Sequence, residues 1–181
     1  ILLAEGTYKF SSRINLSVDG LPNSRITIKP EVPGSKVVLD FSGQAFSSSN
    51  RGIQLYGDYY TIYGIDICGA GDNGLYISGN YNLVENCQFY NNRDSGLQLG
   101  RGYSEQTTID EWPCNNIIRN CTSFNNYDEF TKTDEYKRIE AIAIYYSGVY
   151  DSLLDTMNKY IKPEIVLALF DTEEIVTLTE G

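Results

Sequence analysis

The sequence predicts an all-β chain, most of it a partial parallel β-solenoid in which short strands wind into stacked coils, with an α-helix and short strands after it. Two observations carry the solenoid. The pattern RGIQLYG (51–57) returns as NGLYISG (73–79) and SGLQLGR (95–101), so that Arg51, Asn73 and Ser95 stand 22 residues apart twice over. The segments that follow the copies also align in step: TIYGIDICGAGD (61–72), LVENCQFYNNRD (83–94) and IIRNCTSFNNYD (117–128). A self-similar period in the twenties, rich in Gly and Asn, marks units that bury their apolar face only by stacking. A third observation marks where the pattern stops: 14 of the 16 Gly precede Asp128.

In chain order, residues 1–46 form an opening segment. Tyr8 to Val18 and Arg25 to Ile28 are strand-like, Pro30 and Pro33-Gly34 interrupt, and Val37 to Phe41 begins another strand. Three well-marked coils follow. Ile53 and Leu55, Leu75 and Ile77, and Leu97 and Leu99 alternate with polar or small residues, so each pair faces inward. Ile62, Val84 and Ile118 make a second inward column, and Ile65, Cys87 and Cys121 a third. Gly64, Asn86 and Asn120 lie at the bend between those columns, and Gly and Asn tolerate left-handed backbone angles. Asn91 with Asn125, and Asn92 with Asn126, are expected to stack at a later turn, their amides bonding from coil to coil about 4.8 Å apart.

The third coil carries an insertion. Cys87 to Cys121 is 34 residues where the period predicts 22, which leaves 12 extra residues between Arg101 and Pro113. Solenoid insertions loop out over one face, often the binding face. This one, RGYSEQTTIDEWP, holds the only Trp of the chain, which either stacks on a sugar ring or caps the local core.

The solenoid is expected to span 1–128 and to give way at 129–181 to a divergent tail. There Ile139, Ile142, Tyr146, Val149, Leu153, Met157 and Ile161 recur every three or four residues, the pattern of an amphipathic helix over 135–161 ending before Pro163. EIVLALF and IVTLTEG then read as two short strands. The helix is a candidate cover for the open sheet edge of the last coil.

Composition narrows the function. A formal charge of −10 disfavours nucleic acid and acidic membranes as partners, and no segment is long and apolar enough to span a bilayer as a helix. There is no His, so the usual neutral-pH acid–base group is missing. The four Cys show no zinc spacing, and Cys87 and Cys121 read as core filling. The opening phrase ILLAEGTYKF reads as the interior of a domain, with residues expected upstream.

The run RGIQLYGDYYTIYGIDICGAGDNGLYISG, then NCQFYNNRDSGLQLGRG, then EWPCNNIIRNCTSFNNYD, resembles the pectate lyases of polysaccharide lyase family 9, and GTYKF with RITIKPEVPGSKVVLDFSGQAF resembles their first turns. The resemblance covers 1–128. It implies a right-handed parallel β-helix, a secreted bacterial monomer, an acidic plant cell-wall polysaccharide (pectate) as partner, and calcium-assisted cleavage by β-elimination. In that chemistry a proton is removed beside a uronate carboxylate, calcium offsets the charge that builds up, and a neutral Lys takes the proton. The family's calcium phrases, of the form DADGF and DDGWD, are absent; past Asp128 the chain reads EFTKTDEYKRIEAIAIYY. No catalytic base is assigned, and the chain is expected to be an incomplete, inactive segment, with a non-catalytic polysaccharide-binding β-helix or a structural fragment as alternatives.

Two sets of site residues remain. Asp72, Asp94 and Asp128 occupy the same turn of successive coils, as a calcium-bridged acid column or as simple turn caps bonded to backbone N–H groups. Arg93, Gln98 and Arg101 lie beside that turn, either to hold uronate carboxylates or as solvated surface groups. Tyr56 and Tyr76 sit in the first-strand column, where they are able to line a groove.

Overall fold

Strand follows strand with sharp corners between, and the described strands all pair in parallel. The structure, a computed structural model, describes residues 1–105, 108–127 and the backbone of 142–144. The first coil is β1 (Leu2–Leu3), β2 (Gly6–Lys9) and β3 (Ile14–Leu16); the second is β4 (Ile26–Pro30), β5 (Val37–Asp40) and β6 (Ile53–Leu55). The third is β7 (Tyr60–Tyr63), β8 (Asp66–Cys68) and β9 (Leu75–Ile77), and the fourth is β10 (Leu83–Glu85), β11 (Gln88–Tyr90) and β12 (Leu97–Leu99). The fifth is β13 (Ile117–Arg119), β14 (Thr122–Phe124) and β15 (Ile142–Ile144). One strand of each coil joins each of three five-stranded sheets: a first sheet β1-β4-β7-β10-β13, a second β2-β5-β8-β11-β14 and a third β3-β6-β9-β12-β15. This is a parallel β-helix.

The inward columns stand as the repeat places them. Ile53, Leu75 and Leu97 pair in register, as do Leu55, Ile77 and Leu99, and all six are buried. Ile62, Val84 and Ile118 form the matching column of the first sheet. Ile65 and Cys87 are buried at the next corner, with Cys121 packed against the same core. Each buried aliphatic side chain there contributes about 1.5–3 kcal/mol. The four described thiols are free, and the Cys87 thiol is held well up by its hydrogen bond to Cys121 and by burial, which suits core filling.

The corners explain the Asn and Gly content. Gly64, Asn86 and Asn120 have φ of 64°, 56° and 52°, the left-handed bend that the alignment predicts. A second such column, Gly69, Asn91 and Asn125, turns the chain after the second sheet. A third, Tyr59, Tyr81 and Asn115, precedes the first sheet; its two Tyr rings stack with centroids 4.9 Å apart. The expected amide stack forms at Asn92 and Asn126. Each Oδ1 accepts a backbone N–H one coil back, from Ala70 and Asn92 respectively, and Asn92 Nδ2 donates to Asn126 Oδ1 at 2.9 Å. Asn91 and Asn125 supply the bend instead. A parallel ladder, not foreseen, runs through Asn82 and Asn116, whose Oδ1 atoms accept from Tyr60 N and Asn82 N.

Two expectations change. The opening segment is already the first coil and most of the second: β1, β2 and β3 pair with β4, β5 and β6. The expected helix over 135–161 lies outside the described residues except at Ile142–Ile144, which form β15 beneath β12. Ile-Ala-Ile satisfies a period of two as well as a helical one, and the unpaired edge of β12 selects the strand. The two expected strands after Pro163 also lie outside the described residues.

Candidate functional site

On the three central strands of the third sheet the outward residues are Gln54, Tyr76 and Gln98, set side by side by the register of β6, β9 and β12. Outward positions of a solenoid ordinarily meet water, yet here Gln54 is fully buried and Tyr76 is 8% exposed. Two features cover them. Arg51, at the start of the repeat, lays its guanidinium on the Tyr76 ring, 3.4 Å from the centroid, and its Nη1 donates to Gln54 Oε1 at 2.5 Å. Gln54 Nε2 donates onward to Ser78 Oγ at 2.9 Å. The insertion then folds back across the same face: the Tyr76 hydroxyl donates to the Arg101 carbonyl at 3.0 Å, and Tyr103 stacks on Tyr56 with centroids 5.7 Å apart. Burial pushes the Tyr76 phenol up.

Trp112 is turned away from solvent. It is 8% exposed, and the Arg101 guanidinium lies 5.4 Å from its ring centroid. The aromatic that the insertion offers to solvent is Tyr103, 62% exposed. Tyr76, 8% exposed, is likewise an internal support.

The acid column is only partly visible. Asp72 and Asp94 occupy equivalent turns before β9 and β12, while Asp128 lies outside the described residues. Asp72 is nearly buried, and its Oδ2 accepts from Arg51 Nε at 3.4 Å. Burial first, and then repulsion from Asp94, raise its carboxyl to about 6, against the opposing pull of the Asn73 N–H and Arg51. Asp94 Oδ2 accepts from the side chain of buried Asn73 at 2.6 Å. Calcium takes six to eight oxygen ligands and tolerates no guanidinium among them. Arg51 on Asp72 and the Asn73 amide on Asp94 each take up one of the carboxylate oxygens that such a site would use. Among the described residues no three Asp, Glu, Cys or His side chains gather as a metal site.

Of the expected sugar-binding residues, Gln98 and Arg101 belong to one face. Gln98 is half-buried in the outward column and Arg101 is exposed at the root of the insertion. Arg93 is exposed on the preceding turn, with its guanidinium 5.7 Å from the Phe46 ring centroid. Residues that the sequence reading passed over are Arg51, Gln54, Asn73 and Ser78. Arg51 alone carried a signal, the break in the repeat: an Arg stands where the later copies have Asn and Ser.

Comparison with known proteins gives the lineage. A family model described as "Pel9A-like, right handed beta helix region" matches residues 1–144. "Pectate lyase L" of Paenibacillus polymyxa (strain SC2) is 42% identical over 160 residues, 87% of this chain and 35% of that protein. "Pectate lyase L" of Thermoclostridium stercorarium is 43% identical over 132 residues, 71% of this chain and 10% of that protein. The solved structure of pectate lyase Pel9A superposes with a TM-score of 0.57 at 24% identity, over 70% of this chain and 31% of that one. The chain thus spans about a third of the Paenibacillus relative and a tenth of the Thermoclostridium one. An alignment of 160 residues also carries the likeness past Asp128, where the sequence reading ended it. Five coils in three parallel sheets, built on the quoted repeats and matched over 1–144, make this chain a member of the Pel9A-like right-handed β-helix family of pectate lyases.

Proposed function

We propose that this chain is a pectate lyase-like β-helix segment that holds acidic plant cell-wall polysaccharide, pectate or polygalacturonate, and does not cleave it unaided. The observation that carries this reading is the path of the insertion over the third-sheet face: it leaves Arg101 exposed just past β12, the strand of half-buried Gln98, and Tyr103 exposed against Tyr56, two coils back. A guanidinium pairs with a uronate carboxylate through two parallel bonds, and an aromatic face takes the apolar side of a sugar ring. Arg93, exposed on the turn before β12 and so at the opposite end of that strand from Arg101, supplies a second cation for a long acidic chain. Arg51 and Asp72 act behind this surface, bracing Tyr76 and Gln54 so that the insertion has a firm base.

Calcium-assisted elimination needs a cluster of carboxylates and a base. Calcium offsets carboxylate charge when it is bound, but the Asp72–Asp94 pair is already engaged and the family's acidic phrases are absent. No base is assigned. In keeping with the family, the protein is read as secreted and monomeric.

The test is direct. In alkaline, calcium-containing buffer with polygalacturonate, the ultraviolet absorbance of unsaturated product stays flat, while a pectate affinity gel retards the chain. Turnover sinks the inactive reading; passage through the gel at the rate of a non-binding protein sinks the binding one.

A further inference from the structure

On the other side of the coil stack, the corner between the first and second sheets forms a groove of about 710 Å³. That volume lies within the range of small-ligand sites. One wall is the Pro33–Lys36 stretch of the loop joining β4 to β5, and the floor crosses the left-handed corner at Gly64 and Asn86.

Its chemistry is unusual for so acidic a chain. Of the three Lys among the described residues, Lys29 and Lys36 line this groove. Ile28 pairs with Ile62, so the next step of the register sets Lys29 opposite Tyr63 on the adjacent strand, about 4.8 Å away across the sheet. Tyr63 is 38% exposed. The acid beside it in register, Glu85, is held by Arg119 at 3.0 Å. Lys29 makes no ion pair among the described residues. Across the corner, Lys36 pairs with Asp66 at 3.7 Å, and Gln88, opposite Asp66, is exposed.

We propose that this corner groove is a second binding site, distinct from the third-sheet face, for an acidic oligosaccharide. The choice of a uronate rests on the polysaccharide reading above; the groove's own chemistry supplies the sign of the charge. The Lys29 ammonium takes a carboxylate, Tyr63 offers a ring face, and Gln88 and the exposed Asn86 amide bond to hydroxyls. Lys36 joins as the incoming carboxylate competes with Asp66 for it. A neutral sugar gains only the ring and amide contacts and is held more weakly.

The experiment is an amide NMR titration of the full chain with trigalacturonate, and with maltotriose as the neutral counterpart. Trigalacturonate is expected to shift Lys36, Asn86 and Gln88, and maltotriose to leave them in place. Lys29→Gln and Tyr63→Ala, each confirmed folded by circular dichroism, should weaken that response about tenfold while Gln98 and Arg101 respond as before. Lys29→Gln replaces one exposed side chain, so it carries the test if Tyr63→Ala does not fold. Still groove amides at saturating trigalacturonate, an equal response to maltotriose, or an unchanged titration in Lys29→Gln each overturns the proposal. A groove response without one at Gln98 and Arg101 overturns the third-sheet reading alone.

Discussion

Replacing Asn92 by Ala tests whether side-chain amides hold the coils together. The Asn92 side chain is 1% exposed and makes three bonds: Oδ1 accepts Ala70 N–H at 3.0 Å, and Nδ2 donates to Asn126 Oδ1 at 2.9 Å and to the Ile67 carbonyl at 3.4 Å. A net hydrogen bond contributes about 1 kcal/mol, and a buried donor left without a partner costs about 1–3 kcal/mol. The longest of the three bonds is weak, and the orphaned donor is the Ala70 N–H. The expected loss is therefore about 3 kcal/mol. Since a solenoid's stability is close to a sum over neighbouring coils, the damage should be local to the third and fourth. Hydrogen exchange reads this directly. The Ala70 amide should exchange about a hundred times faster, at roughly 1.4 kcal/mol per tenfold. Asn91→Gly, at the exposed left-handed position next door, should leave Ala70 protected. Ala70 exchange in Asn92→Ala within about threefold of the parent would refute the idea that this ladder joins the coils.

Three further outcomes are expected. Because the Asp72 carboxyl is raised to about 6, the folded state holds its proton more tightly than the unfolded chain, so stability falls as pH rises from the unfolded value near 4 through 6 and is flat above. Solvent screening leaves this on the order of 1 kcal/mol, and Asp72→Asn should remove it from urea titrations across that range. Gly79→Ala places a Cβ against the Gly57 carbonyl of the preceding coil, so about 3 kcal/mol or more of urea stability should be lost; a loss under about 1 kcal/mol means the coils stand further apart. Calcium at about 5 mM should leave the melting temperature unchanged, whereas a rise abolished by Asp94→Ala restores the acid column as a cation site.

Much of this architecture was readable before any coordinates. Ile53, Leu75 and Leu97 reported their column because nothing interrupts the 22-residue spacing between them, and Gly64, Asn86 and Asn120 reported a corner because few residue types accept it. The outer coils were hidden. Ile14 pairs with Ile53, and Leu97 with Ile142, across stretches near twice the internal period, and loops of that length erase a repeat signal. The Asn82–Asn116 ladder was missed because its residues fall just outside the aligned segments. The shared face of Gln98 and Arg101 was legible from position, but the burial of Gln54 and Trp112 was not. It depends on where the insertion folds back, and periodicity carries no information about long-range closure. Arg51 opens the repeat in the sequence, and in the fold it is the cation that pairs with Asp72 and covers Tyr76.

The insertion leaves the stack after β12, folds over one sheet and rejoins before β13 with the coil register intact. The coils above and below therefore bear the folding, and the length of that excursion is set without reference to them: shortening or extending it should leave the parallel pairing of β10 with β13 in place.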